Sequence, residues 1–299
     1  MMKKRELVIV RGGGDIATGT IQVLSRAGFS VLILEAAQPT AIRRQVALSE
    51  AVYDGESTVE DITCVYCHDY LEAQAVLASR KVALLIDPDG HSIEKFKPLA
   101  VVDAILAKCN LGTNRHMAPV TIALGPGFTA GVDVDFVIET MRGHNLGRII
   151  NEGMALPNTG TPGLIAGYGK ERVVHAGCEG RLHNLTAIGD MVEKDQAIAT
   201  IAPADGGQDY AVRSPLKGLL RGLIRDGFYV TKGLKIADVD PREAEYNNCF
   251  TVSDKARCIG GAVLAALLSK VNHAVLRNEV VQCKHPFTKP AGLRQKQII

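Results

Sequence analysis

The sequence lacks three features that would assign it to a common functional class. Its 34 Lys and Arg against 32 Asp and Glu give a formal net charge of only +2, so neither nucleic acid nor a membrane surface is expected as a bulk partner. The longest late apolar run, residues 262–268, is far below the ~20 residues that span a bilayer. The apolar run at 7–10 is too short for a signal peptide, so a cytoplasmic location is expected.

Cysteine is present, but without the pattern of a disulfide framework. The seven cysteines are scattered and odd in number, which does not fit the paired cysteines of small secreted proteins. Cys64 and Cys67 have the CxxC spacing of redox and metal sites, yet no second CxxC accompanies them. Two incidental, half-buried thiols are the favoured interpretation. With 46% apolar and 22% charged residues in 299, the chain has the composition of a globular protein of about two domains.

The first forty residues have the pattern of a Rossmann-type βαβ unit. Residues 7–10 and 31–34 are continuous apolar runs, typical of strands buried on both faces, and helical spacing separates them. Gly12, Gly13 and Gly14 follow the first run, and Glu35 ends the second. This order predicts a dinucleotide fingerprint, with a phosphate at the helix N-terminus and an acid at the ribose hydroxyls.

The fingerprint is imperfect, and it leaves two interpretations open. Ala17 stands at the third glycine position, and Asp15 is a carboxylate beside a phosphate site, which is electrostatically unfavourable. Asp15 is then a candidate to hold a ribose, a metal or an amine. The turn either binds a nucleotide-like ligand or belongs to a scaffold that has lost one. Asp87 and Asp89, which follow the predicted strand 81–86, are further ligand candidates or a simple turn.

A second glycine-rich loop, residues 125–131, directly follows a predicted strand at 120–124. Gly125 and Gly127 allow its backbone N–H groups to face an anion. The loop has no Gly-Lys-Ser/Thr ending, so ATP hydrolysis by a P-loop is not expected.

Three polar residues of the middle segment are further candidates for ligand contact. Asn110 lies in a glycine-containing turn. Arg142 is suited to clamp a phosphate or a carboxylate in bidentate fashion. His144 is a candidate base, donor or ligand, although a lone histidine is more often structural.

The later part of the chain contains a twofold repeat. Residues 180–201 and 218–239 align without gaps, and eight of 22 positions are identical. Two copies are too few for a solenoid, so we expect two interlocked half-units. Their pattern resembles the lipoyl and biotinyl half-repeat, but residues 202–210 between the copies hold no lysine. A recognition or ligand-covering role is therefore expected instead of a swinging carrier arm.

These patterns predict an α/β protein with a Rossmann-like parallel sheet followed by a lipoyl/biotinyl-like barrel-sandwich β domain. The predicted divisions are a nucleotide-binding domain at 1–115, a glycine-rich mixed segment at 116–170, the barrel-sandwich domain without a carrier lysine at 171–242, and a helix and tail at 243–299. Asp254 is the predicted N-cap of that last helix.

Five motifs together resemble the YqeB family, the accessory proteins of selenium-dependent molybdenum hydroxylases. They are GGGDIATG at 12–19, KCNLGT at 108–113, LGPGFTAG at 124–131, ETMRGH at 139–144 and DVDPR at 238–242. The resemblance covers about residues 5–270. The N-terminal turn also resembles the Rossmann half of XdhC-type chaperones, which serve the molybdenum cofactor in xanthine dehydrogenase maturation.

The resemblance implies a maturation factor that binds a nucleotide-like or molybdopterin-type ligand and assists its insertion or modification. The expected cofactor is the molybdenum cofactor or an NAD(P)/adenine nucleotide, and the expected partners are an apo molybdenum hydroxylase or other maturation factors, besides a small anionic ligand. The turn at 12–14 would hold a phosphate, while the loop 125–131 and Arg142 would contact anionic parts. Cys109 is a candidate thiol for transient sulfur or selenium transfer.

Two alternatives remain open. Gly12, Gly14 and Glu35 also fit an NAD(P)-dependent oxidoreductase, although apart from His144 no proton-relay or substrate constellation follows in the sequence. The other alternative is a scaffold that joins client and chaperone without chemistry. The sequence predicts no metal ligands and identifies no catalytic residue.

Overall fold

The protein, described here from a computed structural model, is placed at residues 5–160 and 163–282, with side chains to residue 271. The helices are α1 Asp15–Arg26, α2 Ala51–Asp54, α3 Tyr70–Ala78, α4 Ser92–Phe96 and α5 Asp254–Gln282. The strands of the first half are β1 Leu7–Arg11, β2 Ser30–Glu35, β3 Glu56–Val59, β4 Ile62–Tyr66, β5 Val82–Ile86, β6 Ala100–Asp103, β7 Val120–Leu124, β8 Thr129–Ala130, β9 Phe136–Ile138, β10 Ile149–Ile150 and β11 Gly153–Met154. Those of the second half are β12 Val173–His175, β13 Gly180–Asn184, β14 Met191–Val192, β15 Ala197–Pro203, β16 Tyr210–Arg213, β17 Gly218–Leu223, β18 Tyr229–Val230 and β19 Lys235–Asp240.

One mixed sheet of nine strands dominates the first half, in the order β10-β9-β7-β6-β1-β2-β5-β4-β3. The seven inner strands run parallel, whereas β10 and β3 pair antiparallel at the two edges. In the parallel register Arg11 lies beside Leu34 on one side and Asp103 on the other. The carboxyl ends of β1, β2 and β6 therefore meet at one edge of the sheet, where ligands bind in open α/β folds.

The predicted Rossmann-like parallel sheet domain is wrong in its topology. β2 pairs with β5 instead of β4, the next parallel strand along the chain. Antiparallel strands close both edges, and residues 104–119 between β6 and β7 contain no helix, although parallel neighbours are usually joined through one. The sheet also takes strands from both sides of residue 115. Apolar runs identify buried strands, but they do not determine which neighbours those strands pair with.

Helices cover both faces of the large sheet. On one face, Ile21 of α1 and Val263 of α5 pack in a shared core with β1, β2, β6 and β7. On the other face, Ala73 of α3 and Ile93 of α4 pack against alternate residues of the same strands. Burying each large apolar side chain stabilises the fold by about 1.5–3 kcal/mol, so the strands are held rigidly and present their carboxyl ends in fixed positions.

The second half contains two separate four-stranded antiparallel sheets, β12-β19-β17-β14 and β16-β15-β13-β18. The two sequence copies form β13 to β15 and β17 to β19 in the same order. They interlock, because β14 of the first copy pairs with β17 of the second, and β18 of the second pairs with β13 of the first.

The predicted lipoyl/biotinyl-like barrel-sandwich is also wrong, because these residues form separate sheets that include strands outside the repeat. β12 precedes the first copy and adds an edge beside β19, while β16 lies between the copies and adds an edge beside β15. The identical positions indicate the interlocking of the copies. They carry no signal for the added strands or for the way the sheets assemble.

The β sheets dock onto the large sheet through the segment that follows β2. The N–H of Leu223 donates to the carbonyl of Ile42 at 2.8 Å, and Arg44 Nε donates to the carbonyl of Leu223 at 2.8 Å. Arg225 pairs with Glu50 at 3.0 Å. Residues of β19, the neighbour of β17, lie near the carboxyl ends of the parallel strands, where Lys235 and Asp238 line a cavity with Gly12 and Glu35.

The last described helix begins one residue after its cap. The N–H of Ala256 donates to Ser253 Oγ at 3.2 Å, so Ser253, and not the predicted Asp254, caps α5. The predicted tail from residue 283 on lies outside the described residues. Across the part of the chain that the structure describes, no helix combines the length and apolarity needed to cross a membrane.

Candidate functional site

A first cavity, of about 460 Å³, lies at the carboxyl ends of β1, β2 and β6, and we call it the glycine-turn cavity. Lys235 and Asp238 of β19 line it as well, so both halves of the chain contribute to it. Its charged and polar lining includes three carboxylates, two cations and a serine. The residues used below are Gly12, Gly14, Asp15, Glu35, Arg43, Ser49, Leu106, Lys235 and Asp238.

The carboxylate of Glu35 occupies the glycine turn itself. Glu35 Oε2 accepts the N–H of Gly13 at 2.7 Å, and its Oε1 accepts the N–H of Ala36 at 2.8 Å. Burial raises the pKa of Glu35 above its ordinary value, and the two backbone N–H donors offset this only in part. The protein's own carboxylate thus stands where the fingerprint predicts an incoming anion.

The three glycines of the turn serve different purposes. Gly12 has φ +94°, and a Cβ there would lie 3.0 Å from the carbonyl oxygen of Ala104. A Cβ on Gly13 would lie 3.0 Å from the backbone nitrogen of Ser49, whereas one on Gly14 would meet nothing within 4 Å. Gly12 and Gly13 are therefore explained by close packing of the backbone, and Gly14 is the glycine open to a ligand.

Asp15 and Ser49 complete the polar lining of this cavity. Asp15 pairs with Arg43 at 3.4 Å, and Arg43 also donates to the carbonyl of Asn248 at 2.9 Å. Burial lowers the pKa of Arg43, and the nearby Asp15 opposes that change. Ser49 is 1% exposed, and its Oγ has no hydrogen-bond partner among the described residues. A buried hydroxyl without a partner is uncommon in folded proteins.

A second cavity, of about 510 Å³, adjoins the first at Leu106 and is called here the cationic cavity. Among the described residues, its charged lining consists of the cations Lys108, Arg142, Arg172 and Lys255 and includes no carboxylate. Its apolar wall consists of Leu106, Leu124, Pro126, Met141, Leu156 and Pro157. The combination of an apolar wall and several cations suits a small anion that carries an apolar or flat group.

The cations of this cavity differ in how they are paired. Arg142 makes a bidentate, solvent-exposed pair with Asp254 at 3.0 and 3.1 Å, and Arg172 pairs with the buried Asp238. The ammonium group of Lys255 makes no hydrogen bond or ion pair with another described residue. Burial lowers the pKa of Lys255 and the adjacent Arg142 lowers it further, while the charges of Asp15, Glu139 and Asp254 offset this only in part. An anion in this cavity would stabilise the charged form of Lys255.

An arginine cavity of about 490 Å³ continues from the cationic cavity, with which it shares Arg142 and Arg172. Arg221 and Arg242 line it as well, and both donate to the fully buried carboxylate of Asp240. The Nε atoms of Arg172 and Arg221 are buried without a hydrogen-bond partner among the described residues. Guanidinium groups in this setting are anion-binding groups of high geometric specificity.

The backbone between the two main cavities is unusual. Leu106 and Lys108 have φ values of +60° and +66°, a region that residues other than glycine seldom adopt. Two glycines pack against this segment. Gly12 lies against Ala104, and a Cβ on Gly127 would lie 2.7 Å from Cα of Cys109. Strained backbone of this kind tends to occur at functional sites.

The structure brings some of the predicted site residues to these cavities and leaves others outside. Gly12, Gly14, Asp15 and Glu35 line the glycine-turn cavity, and Arg142 lines the cationic cavity. Asp87 accepts the N–H groups of residues 90–92 and caps that turn. Burial raises the pKa of Asp87, but these hydrogen bonds outweigh it and the net change is downward.

Other candidates have local structural roles. Asn110 closes its own turn by accepting from the N–H of Gly112 and donating to the carbonyl of Thr113. Gly125 has φ +79°, and a Cβ there would lie 2.6 Å from Oγ1 of Thr140. His144 is exposed and makes no hydrogen bond or ion pair within the described ranges.

Cys64 and Cys67 do not form a reactive pair of thiols in the described structure. Cys64 and Cys67 are both buried and pack on opposite faces of the large sheet, and burial raises the pKa of each thiol. Cys109 is exposed and lies beside the cationic cavity. No cluster of three or more His, Cys, Asp and Glu side chains able to hold a metal ion occurs among the described residues.

Sequence reasoning missed most of the residues that line the cavities. Arg43, Ser49, Arg172 and Lys255 belong to no recognised motif and are far apart along the chain. The one available signal was DVDPR at 238–242, whose acids bind cavity arginines in the structure.

Comparison with known proteins gives one close relative. No protein-family model matches the chain. YqeB of Escherichia coli, an uncharacterised protein, is 47% identical over 270 residues, which are 90% of this chain and 49% of that protein. The chain therefore spans about half the length of the curated relative that it matches.

Solved structures give only distant likenesses. An aspartoacylase family protein from Mesorhizobium loti is 11% identical with a TM-score of 0.26, over 79% of this chain and 85% of that one. A succinylglutamate desuccinylase/aspartoacylase from Rhodobacter sphaeroides is 13% identical with a TM-score of 0.27, over 80% and 86%. Likenesses at this level support no statement on fold or activity. The motifs and the 270 matched residues agree, and this chain is a relative of YqeB.

Proposed function

We propose that this chain binds a small phosphate-bearing ligand of the nucleotide or molybdopterin type and serves as an accessory protein in the maturation of a molybdenum hydroxylase. The ligand's anionic group lies in the cationic cavity. The observation that carries the proposal is the described lining of that cavity, in which four cations and no carboxylate lie beside an apolar wall. The maturation role, including its selenium dependence, comes from the resemblance of the five motifs to the YqeB family.

The electrostatics favour an anion over a neutral ligand. Lys255 is half-buried without an ion-pair partner among the described residues, and an unpaired buried ammonium is costly. A phosphate would supply the missing charge and up to three strong acceptor oxygens. Arg172 is fixed by its buried partner Asp238, so it provides a donor that is already oriented.

The location of the cavity favours binding and transfer over turnover. Its lining comes from segments near the carboxyl ends of β6, β7 and β9, from the start of α5 and from Arg172, which directly precedes β12, so a partner that contacts these segments would reach the ligand. The described lining contains no paired general acid and base. The oxidoreductase alternative relies on the glycine turn, where Glu35 already accepts the N–H of Gly13, and the scaffold alternative leaves the clustered cations without a purpose.

The test is calorimetric titration of the purified chain with inorganic pyrophosphate as the probe for the cationic cavity. We expect saturable binding that Lys255→Met weakens by at least about tenfold, equivalent to about 1.4 kcal/mol. Lys194→Met is the matched control, since Lys194 is exposed and lies outside the cavities described here. Equal affinity of both variants for pyrophosphate, or no binding by the unmodified chain, would contradict the proposal.

The maturation role needs a separate test. The chain is co-expressed with an apo molybdenum hydroxylase in a host that makes molybdopterin, and the cofactor content of the hydroxylase is measured with and without it. The expected result is higher cofactor content or activity with the unmodified chain than with Lys255→Met. No difference between the two would overturn the maturation role and leave the anion site standing.

A further inference from the structure

The glycine-turn cavity contains groups that the proposed anion site does not use. Its three carboxylates are not equivalent. Asp15 pairs with Arg43, and Asp238 pairs with Arg172. Glu35 has no cation within ion-pairing distance among the described residues, and its hydrogen bonds come only from two backbone N–H groups.

Glu35 retains the capacity to accept further hydrogen bonds. Each of its oxygens accepts one N–H and has a second acceptor position, because an ionised carboxylate offers about four. Burial raises the pKa of Glu35, so the charged form is under-stabilised in the free protein. Two adjacent N–H donors from a ligand would satisfy both oxygens in the bidentate arrangement that carboxylates favour.

Ser49 gives a second and independent indication of a ligand. Its side chain lines the same cavity, is almost completely buried, and has an Oγ without a partner among the described residues. The backbone N–H of Ser49 donates to the carbonyl of Gly13 at 2.9 Å. This hydrogen bond holds Ser49 beside the glycine turn, whose Gly13 N–H donates to Glu35. A hydroxyl and a carboxylate close together suit a ring that carries both donors and an acceptor.

Leu106 lines both cavities, so they are neighbours, and a molecule that extends past Leu106 would reach from the first into the second. The part of that molecule in the glycine-turn cavity must donate hydrogen bonds, and the part in the cationic cavity must be anionic. Purine or pteridine rings with an amino group beside a ring N–H have that donor edge. An adenine ring has no ring N–H beside its amino group, so it fits Glu35 less well.

We infer that the glycine-turn cavity recognises a 2-aminopyrimidinone ring, through its amino and ring N–H groups on Glu35 and with Ser49 Oγ as an additional contact, while the anionic group of the same molecule lies in the cationic cavity. Guanine nucleotides and pterin phosphates share this chemistry. The inference deepens the proposed function and rests on it for the position of the anion.

The experiment compares GMP with IMP, which differ by the 2-amino group alone, in calorimetric titrations of the full chain. GMP is expected to bind at least about tenfold more tightly, and Glu35→Gln is expected to bring the two within about twofold while leaving pyrophosphate affinity unchanged. Because Glu35→Gln also perturbs the glycine turn, Ser49→Ala provides a second variant. It removes only an unpartnered hydroxyl, so it should lower GMP affinity several-fold without lowering the melting temperature.

Pterin-6-carboxylate, an anionic pterin, is titrated in parallel by its own fluorescence, which no tryptophan obscures because the chain has none. Tighter binding of GMP assigns the site to a guanine nucleotide, and tighter binding of the pterin assigns it to a pterin. Equal binding of GMP and IMP beside normal pyrophosphate binding would overturn the inference and leave the proposed function intact. Preference for GMP without any pyrophosphate binding would overturn only the proposed anion site, and no binding of any probe would overturn both.

Discussion

The carboxylate of Glu35 accepts the backbone N–H of Gly13 at 2.7 Å, so the glycine turn already has an anion that belongs to the chain. A phosphate at the turn would have to compete with this carboxylate and with Asp15 in the first turn of α1. Both carboxylates act against a second anion there. The cations that suit an anion lie in the neighbouring cavity instead.

Replacing Gly12 and Gly14 separately tests what the glycine turn does. Gly12→Ala is expected to destabilise the protein by about 1–3 kcal/mol, because Gly12 has φ +94° and its new Cβ would press on Ala104. Gly14→Ala should leave stability within about 1 kcal/mol, because its Cβ would meet nothing within 4 Å. Urea unfolding measures both. A Gly14 variant less stable than the Gly12 variant would contradict this assignment of roles.

The pKa of Glu35 predicts how stability depends on pH. Burial raises the folded-state pKa of Glu35 above its unfolded-state value, so the folded chain binds this proton more tightly. The stabilisation is complete below the unfolded-state pKa and is lost as pH rises through the folded-state pKa. The stability advantage of the unmodified chain over Glu35→Gln should therefore decrease as pH rises from the ordinary glutamate pKa through the raised folded-state pKa of Glu35.

Urea unfolding at several pH values follows that difference, with Glu94→Gln as the control. Glu94 is an exposed carboxylate on α4, so its variant should track the unmodified chain at every pH. A difference between the unmodified chain and Glu35→Gln that grows with pH would show that the Glu35 pKa is lowered by folding instead.

Local sequence patterns predicted several strands and the repeat. They did not predict how distant strands are ordered and paired in the sheets. Apolar runs located β1, β2, β5 and β7, since a strand buried on both faces needs no other signal. The order of the strands depends on crossovers that leave no periodic trace, so the Rossmann-like prediction did not hold. The same reason applies to the edge strands β12 and β16, which belong to neither repeat copy.

The candidate site was only half predictable for a related reason. Glycines, Asp15 and Glu35 follow a strand directly, so their position at the sheet edge could be read from the order of elements. Arg172 reaches the cavity from the turn directly before β12, and Lys255 reaches it from the start of α5, and nothing in their neighbours marks them. A cluster formed by residues from several distant segments becomes visible only when the chain is folded.

The contact between α1 and α5 predicts opposite effects for two adjacent glycines. A Cβ on Gly260 would lie 2.7 Å from the carbonyl oxygen of Gly19, whereas one on Gly261 would meet nothing within 4 Å. Gly260→Ala should therefore destabilise the protein by about 1–3 kcal/mol through overpacking. Gly261→Ala should stabilise it by up to about 1 kcal/mol, because alanine is the better helix former.

Thermal and urea unfolding measure both effects. The two substitutions lie next to each other on the same helix and differ in solvent exposure, so each variant serves as the control for the other. Equal destabilisation by both would mean that the helices do not approach as closely as described. Because α5 also carries Lys255, loss of anion affinity in Gly260→Ala beside normal affinity in Gly261→Ala would show that the packing of α5 on α1 positions the cationic cavity.

The exposed pair of Arg142 and Asp254 predicts a variant that binds anions more tightly. Asp254 holds Arg142 in a bidentate pair at 3.0 and 3.1 Å, and that pair competes with any ligand for the guanidinium. Asp254→Asn should raise pyrophosphate affinity several-fold, because it frees Arg142 and removes a negative charge near the cavity.

The stability cost of Asp254→Asn is expected to be below about 1 kcal/mol, since both side chains of the pair are at least half exposed. The hydrogen bonds from Arg142 lower the pKa of Asp254 from 3.8 to about 2. The contribution of the pair is therefore present above the ordinary pKa and is lost as pH falls through the folded-state value. Urea unfolding of both proteins over that acidic range should show the difference narrowing.

The matched control for the affinity measurement is Asp61→Asn, which removes one of the two carboxylates paired with Arg26, in a comparably exposed cluster away from the cationic cavity. It should leave pyrophosphate affinity unchanged, because Arg26 does not line that cavity. A similar gain in both variants would mean that overall charge, and not Arg142, sets the affinity. A gain in pyrophosphate affinity that occurs only in Asp254→Asn, and that disappears when Arg142→Met is added, would identify Arg142 as a ligand-binding residue. Asp254 would then be a competitor of the ligand for the Arg142 guanidinium.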